Sequence, residues 1–393
     1  KQVAASGTIP QISAIFGNCG GGLAVVPALS DFTFIEEKKG RMFINSPNAI
    51  AGNTIEKCDT ASAAFVAEEN GCIDMVGSED DIMENIRALV SVLPLNNESD
   101  VYTDECTDDL NRVCEELENV IEDPRYILSE ISDDHIFFEA KSYYAKDMVT
   151  GFVKLNGMTV GVVANCAISY NEEGDVEEEF GTILSARGCE KAAEFVQFCD
   201  AFSIPLLTIT NVTGFSNLLC SEKRIAKSLA RFIYALSNAT CAKVNLITGQ
   251  AFGSAYAMMN CKSLGADLVY AWADAKVGMM ESDMAAKIMY PNANAEELKV
   301  KEWDKNEVVK LFRFYRFNRF LTRFGLDGIE TENENTNIEI DKNEIEKYLN
   351  VITNKQIKDI GIDKKLIFYL ETSKDDNEEK IIKKNIDGIG IYE

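Results

Sequence analysis

The chain has 393 residues, 46% of them hydrophobic, enough to bury two sizeable cores and to form two α/β domains. Its formal net charge of −25 repels a phosphate backbone and excludes nucleic acid as a main partner, though small phosphorylated molecules still bind acidic proteins. No run reaches the ~20 apolar residues of a membrane-spanning helix and no signal peptide precedes Lys1, so a cytoplasmic location is expected.

In chain order, residues 1–7 read as the last turns of a helix stopped by Gly7, with neither start residue nor N-cap, so further chain is expected upstream. Residues 9–16 read as a short buried strand that runs into Gly17-Asn-Cys-Gly20-Gly21-Gly22. Residues 54–147 are acidic and largely helical, with an amphipathic helix at 81–93 and a charged one at 104–117, and form an inter-domain connector. Beyond it come a strand at 157–165, a helix at 189–199, a strand at 204–211 and a helix capped by Ser221 that lines up Ile225, Leu229, Phe232, Ile233 and Leu236. A last strand at 242–248 enters a second glycine-rich segment, Gly249-Gln-Ala-Phe-Gly253-Ser254-Ala255-Tyr256.

The two glycine-rich segments share their flanks. Each is followed by small residues, then by Asp31-Phe-Thr-Phe-Ile or Asp267-Leu-Val-Tyr-Ala, then by Arg41-Met-Phe or Lys276-Val-Gly. One duplicated unit accounts for this. Glycines at a strand-to-helix elbow permit a sharp turn and leave backbone N–H groups exposed at a helix start, where they stabilise negative charge developing on an oxygen. The chain therefore presents an oxyanion hole twice. Close helix–strand packing is the plainer use of a single glycine pair, but matching flanks in two copies weigh against it.

From about residue 300 the composition shifts to Lys, Asn, Ile, Asp and Glu, without Ala, Cys, Met, His or Pro. Within this tail, residues 311–324 place arginines among aromatics at near-helical spacing, the pattern of a membrane-surface or RNA-binding helix, or of a segment without selected function. The 11 cysteines contain no C-x-x-C pair, so neither a zinc site nor a disulfide framework is expected, and no metal is assigned.

The motifs Ile9-Pro-Gln-Ile-Ser, Gly21-Gly22, Pro27-Ala-Leu-Ser-Asp31-Phe-Thr-Phe, Val149-Thr-Gly-Phe152, Gly157-Met-Thr-Val-Gly-Val-Val-Ala-Asn165 and the elbow at Gly253 resemble the biotin-dependent acyl-CoA carboxyltransferases over roughly residues 1–299. The resemblance is strongest to the carboxyltransferase subunits of propionyl-CoA carboxylase and methylmalonyl-CoA decarboxylase. It implies an α/β fold of two crotonase-like domains, the first incomplete: residues 1–53 as the remnant of the acyl-CoA domain, 54–147 as connector, 148–299 as the biotin-side domain and 300–393 as an atypical tail. It implies that the amides of Gly21 and Gly22 hold the thioester oxygen as an enolate forms, and that those of Ser254 and Ala255 hold the biotin ureido oxygen. Gly253, Gly214, Phe215 and Ala257 would line the cofactor side, Ala257 standing where an acidic residue marks typical propionyl-CoA carboxylases. Two departures are Gly20, where the family has Ala, and Thr213-Gly214-Phe215, where it has Pro-Gly-Phe. The expected cofactors are biotin on a separate carrier protein and coenzyme A as part of the substrate. The expected partners are that carrier, a biotin carboxylase or the sodium-pumping membrane subunits of a decarboxylase, and further copies of the chain in a dimer or larger assembly. Carboxylase and decarboxylase share the half-reaction, so direction stays open.

Other residues invite less. His135 follows Asp133 and Asp134, but a structural role is the expected one. Arg187 and Lys191 are second-line candidates for a phosphate at a helix start, and Asp31 and Asp267 are read as matched folding residues rather than an acid–base pair. The competing readings are a crotonase-type hydratase or isomerase, disfavoured because no Glu stands beside either elbow, and an inactive or scaffolding fragment.

Overall fold

The computed structural model describes residues 1–53, 58–101, 105–106, 108–109, 111–114, 117–171, 174–290 and 303–329, with the backbone of two strands at 367–372 and 386–392. The chain divides into two compact units, Lys1–Asn294 and Ala295–Glu393.

The first unit opens with helix α1 (Gln2–Ala5), closed by Gly7 at a left-handed φ of +69°. Strands β1 (Ile12–Ile15) and β2 (Asn18–Gly20) lead into a 3-10 turn, Gly21–Ala24, that continues as α2 (Val25–Ala28). Strand β3 (Phe32–Glu36) returns parallel to β1, and β4 (Arg41–Phe43) lies parallel to β2. After α3 (Ala63–Glu69), strand β5 (Met75–Gly77) adds itself to the other side of β3. The segment read as a connector thus adds a strand to the first sheet. It does so because Asp74, fully enclosed, accepts the Thr33 amide on Oδ2 at 2.7 Å. Burial pushes this carboxyl up to about 7, with Lys141 opposing that rise and Glu194 adding to it.

Helix α4 (Glu79–Val92) begins at a reciprocal cap, Ser78 Oγ accepting from the Asp81 amide while Asp81 accepts from the Ser78 amide. Its buried stripe is Ile82, Leu89 and Val92. The charged helix expected over 104–117 does not form among the described residues there; a 3-10 turn follows at Leu117–Val120. Next come α5 (Pro124–Ile131), capped by Asp123, and β6 (Phe137–Ala140), β7 (Met148–Leu155) and β8 (Met158–Asn165), an antiparallel run. The β7–β8 turn is Asn156-Gly157, with φ of +55° and +73°, the mirror-image turn that right-twisted hairpins favour. Both turn amides donate to the Asp133 carboxylate, at 3.0 and 2.7 Å.

Strands β9 (Ile168–Tyr170), β10 (Val176–Glu179) and β11 (Ile183–Leu184) precede α6 (Ala186–Ala201), whose start is capped by Ser185. Then β12 (Leu206–Val212), β13 (Gly214–Phe215), α7 (Leu219–Glu222), α8 (Ile225–Asn238), β14 (Lys243–Phe252), α9 (Gly253–Met258), β15 (Leu268–Ala271), β16 (Lys276–Gly278) and α10 (Ser282–Met289) follow. The larger sheet runs β15-β14-β12-β8-β7-β6, with β16 also on β14, and is parallel from β8 onward. The expected cap at Ser221 is not there: α8 starts after Arg224 without a side-chain cap, and the buried Ser221 Oγ accepts the Ala186 amide at the start of α6 instead. The hydroxyl serves the helix end that packing has enclosed, where an orphan amide costs most.

One core joins the two sheets. Phe32 packs edge-on against Phe198 of α6 at 4.9 Å, and Phe152 of β7 lies 5.1 Å from Phe195. Phe34, Phe152, Phe202 and Phe232 are all fully enclosed, each contributing about 2 kcal/mol of apolar burial. A smaller core of Ile15, Cys19, Ala24, Ile35, Met42 and Val66 sits beneath the first elbow. Among the described residues no helix is long and apolar enough to cross a membrane.

The second unit contains α11 (Lys305–Phe314) and α12 (Asn318–Arg323) around Val309, Leu321 and Leu326, and an antiparallel pair, β17 (Ile367–Thr372) and β18 (Ile386–Tyr392). The arginine–aromatic stretch is therefore two short helices, broken at Arg316 with φ +57°, and not one continuous helix.

Candidate active site: two matched elbows

The duplicated sequence folds into duplicated geometry. In the first copy Gly20 is extended (φ −116°, ψ 156°) and Gly21 turns left-handed at +62°; in the second Phe252 is extended (−113°, 138°) and Gly253 turns left-handed at +53°. A helical turn starts at once in each, so its leading N–H groups have no acceptor within the helix. The strand ladders keep the same register: Asn18, Cys19 and Gly20 face Arg41, Met42 and Phe43, while Gln250, Ala251 and Phe252 face Lys276, Val277 and Gly278.

This register explains Gly20. A Cβ there would lie 2.6 Å from the Phe43 ring, so glycine leaves room for the phenylalanine across the ladder. In the second copy the same two sites are exchanged: Phe252 fills the elbow position and Gly278 faces it, a Cβ on Gly278 meeting the ring at 3.5 Å. Each pair thus holds one ring and one glycine.

Asp31 and Asp267 are also equivalent. Asp31 accepts the Gln11 amide on Oδ2 at 2.7 Å while its own amide donates to Gln11 O at 2.9 Å; Asp267 brackets Lys243 in the same way, at 2.8 Å both times. Both carboxylates fasten the start of the elbow strand. Burial raises the Asp31 carboxyl above its ordinary value.

Around the first turn the backbone is open. No heavy atom lies within 4 Å of a Cβ built on Gly21 or Gly22, and Gly22 is exposed. At the second, Gly253 is closed off, since a Cβ would meet Met279 O at 2.8 Å, whereas Ser254 and Ala257 are exposed on one side of α9 and Ala255 is buried in the core. By register Gly21 matches Gly253 and Gly22 matches Ser254, so the amide pairs Gly21/Gly22 and Ser254/Ala255 picked out in the sequence are offset by one residue. Strand β13 brings Gly214 and Phe215 beside α9, with Phe215 packed on the core that holds Ala255. That loop is held by the Thr213 amide on Thr182 O at 2.7 Å and the Ser216 amide on Leu184 O at 2.9 Å.

The strand beneath the second elbow is locked by two asparagines that sequence reasoning did not single out. Asn165 Oδ1 accepts the Asn211 amide at 2.7 Å, and Asn211 Oδ1 accepts the Gln250 amide at 2.8 Å, directly over Gly249. An asparagine closing each of two hydrophobic strands was the available signal. The second-line residues are engaged elsewhere. Arg187 pairs with Glu69 at 2.6 Å, and Lys191 is buried, donating to Lys141 O and Tyr144 O, with burial lowering it to about 8. His135 is exposed, 3.7 Å from Glu130, while Asp133 serves the Asn156-Gly157 turn.

Comparison with known proteins agrees with this architecture. The Carboxyl transferase domain family matches residues 1–354, reaching past the 299 at which the resemblance in sequence ends. The chain is 36% identical over 319 residues to the propionyl-CoA carboxylase carboxyltransferase subunit of Haloferax mediterranei, covering 76% of this chain and 60% of that one. It is 36% identical over 297 residues to the methylmalonyl-CoA decarboxylase subunit alpha of Propionigenium modestum, covering 72% and 56%. The chain thus spans about 60% of the length of such relatives. Among solved structures it is similar to transcarboxylase 12S, described as a hexamer with methylmalonyl-coenzyme A bound, with a TM-score of 0.65, 32% identity, and coverage of 75% of this chain and 58% of that one. The fold is accordingly crotonase-like α/β. With the family matched over most of its length and two elbows of one geometry, the chain belongs to the carboxyl transferase domain family.

Proposed function

We propose that the chain is a carboxyltransferase subunit that moves a carboxyl group between an acyl-CoA, such as methylmalonyl-CoA or malonyl-CoA, and biotin borne on a separate carrier protein. The observation that carries this reading is the pair of elbows: two left-handed glycines, each followed by helix-start amides, at equivalent points of two sheets. Removing or adding a carboxyl group alpha to a thioester passes through an enolate, whose charge must be held by donors already in place. The amides of Gly21 and Gly22 suit that task because they open a helical turn beside space that no side chain fills. The small Ser254 and Ala257 leave the start of α9 accessible, which fits a ureido oxygen held by the amides of Ser254 and Ala255. Biotin, when bound, supplies the nitrogen that carries the carboxyl group; Gly214 and Phe215 flank that position.

Further copies of the chain are proposed partners, together with the carrier and with either a biotin carboxylase or membrane decarboxylase subunits. Apolar side chains stand exposed beside both elbows: Leu23 (57%), Val25 (47%) and Val26 (46%) in the turn and helix of the first, and Met279 (82%) against Gly253 at the second. Such clustering marks association surfaces.

The test is carbon dioxide release from methylmalonyl-CoA and malonyl-CoA, with and without a biotinylated carrier. Release that requires biotin is expected. Its absence for both thioesters, in a sample whose fold is intact, would retire the reading.

A further inference from the structure

The larger sheet has a cavity on the face away from the second elbow. Along β8, Val163 points to the core that holds Phe215 and Ala255, whereas Val162 and Ala164 point the other way, to Ile127, Leu128 and the half-buried Trp272. On that second side a cavity of about 610 Å³ opens between Cys114, Leu117 and Ile121 on one wall and Thr248, Gln250 and Trp272 on the other. Its volume suits a small organic molecule. None of the residues assigned to either elbow lines it.

Three features of this cavity point to a ligand. Arg112 Nη1 donates to Cys114 Sγ at 3.3 Å, and the same guanidinium is held in place by Asp108 and by Ser132 O, both at 2.9 Å. A positive charge fixed beside a sulfur is the setting in which thiols exchange with disulfides. Thr248, only 4% exposed, lines the wall and has an Oγ1 with no partner, which costs free energy until a bound group meets it. Trp272 supplies an aromatic wall, and Lys276 shares the lining with Glu118 and Asp274, so charges of both signs are on offer.

We propose that Cys114 is a thiolation site, at which this cavity takes a small disulfide whose halves carry both an ammonium and a carboxylate group. Lys276 receives the carboxylate, Glu118 and Asp274 receive the ammonium, and Thr248 Oγ1 meets a polar group between them. In the exchange the Cys114 sulfur gives up its proton and attacks one sulfur of the disulfide. A new S–S bond to Cys114 forms as the old one breaks, and the other half departs as a thiolate that takes up the proton. The disulfide is itself the oxidant. Coenzyme A disulfide is the poorer match, because its phosphates meet two carboxylates and one lysine. The site does not depend on which reaction the elbows perform.

The probe is glutathione disulfide, added to the reduced full chain, with the modified cysteines located by peptide mass mapping. Cys58 and Cys220 are exposed while Cys114 is half-buried, so exposure alone would favour the first two. The expected result is modification of Cys114 about tenfold faster than of either, reversed by dithiothreitol. Thr248→Val and Lys276→Gln should each slow that reaction about fivefold, and Lys276→Gln should leave the reaction of Cys114 with the uncharged bis(2-hydroxyethyl) disulfide unchanged. Faster reaction at Cys58 or Cys220 overturns the proposal, as does an internal disulfide between Cys106 and Cys114 in place of the mixed one. Equal slowing of the charged and uncharged probes in Lys276→Gln, or faster reaction with coenzyme A disulfide, overturns the assignment of the ligand.

Discussion

The first and second elbows share backbone turn, strand register and carboxylate bracket, yet they are buttressed differently. Behind the second stand a strand on each side and the Asn165–Asn211 pair; behind the first stand β3 and the small core of Ile15, Ile35 and Met42. The difference teaches that elbow geometry is a local property. Left-handed glycine, extended predecessor and helix start recur over two different cores, so the turn is encoded in its own few residues and in the ladder to β4 or β16.

The comparison is broken most directly by removing one donor from each elbow. Proline at the second position of a helical turn deletes an N–H at little cost to the fold. Gly22→Pro and Ser254→Pro are each expected to lower biotin-dependent carbon dioxide release about 100-fold, roughly 2.7 kcal/mol of lost stabilisation, with circular dichroism unchanged. If only one variant loses activity, the two elbows do not share a reaction.

The exchanged ring and glycine offer a sharper test. Gly20→Phe forces a second ring against Phe43 and is expected to destabilise by about 3 kcal/mol, within the range for overpacking. Adding Phe43→Gly recreates the arrangement of Phe252 and Gly278 and should recover more than about 1 kcal/mol in a double-mutant cycle read by urea unfolding. Additive losses would show that the two ladders are not interchangeable. The carboxylate brackets predict equality instead: Asp31→Ala and Asp267→Ala should each cost about 2 kcal/mol, the scale of a hydrogen bond to a charged acceptor. A clear inequality in denaturant midpoints would mean that the outer strand shares the load in one copy.

Much of this was legible in the sequence. The duplicated glycines, the matched aspartates and the strands at 157–165, 204–211 and 242–248 all announce themselves through local pattern, because parallel strands buried on both faces read as continuous apolar runs. Within residues 54–147 the amphipathic helix at 81–93 was legible and forms as α4, but the role of the segment in the first sheet was not. Its contribution of β5 to the first sheet depends on Asp74 meeting Thr33, a contact between distant residues that leaves no periodic trace. Ser221 misled for the same reason, since its partner is set by packing of α6 against α7 and not by its neighbours in sequence.

Asp74 supplies a pH-dependent effect confined to the first copy. Its folded carboxyl titrates near 7 while the unfolded one titrates near 4, so between those values the folded state holds the extra proton. Stability is therefore present in full below the unfolded value and declines as pH rises toward 7, by up to about 1.4 kcal/mol per pH unit. Asp74→Asn should flatten that slope in urea titrations across pH 4–8; an unchanged slope would assign it to other groups, with Asp31 the nearest alternative.

The tight turn at Asn156-Gly157 sets an order of assembly. Every neighbour that β14 has in the sheet is parallel and must arrive by a long crossover, with a loop-closure penalty to meet before any contact rewards it. Strands β7 and β8 need close only two residues, on a timescale of roughly microseconds. The hairpin is thus expected to form before the crossovers close, so that hydrogen exchange in refolding should protect β7 and β8 ahead of β14 and the second elbow it leads into.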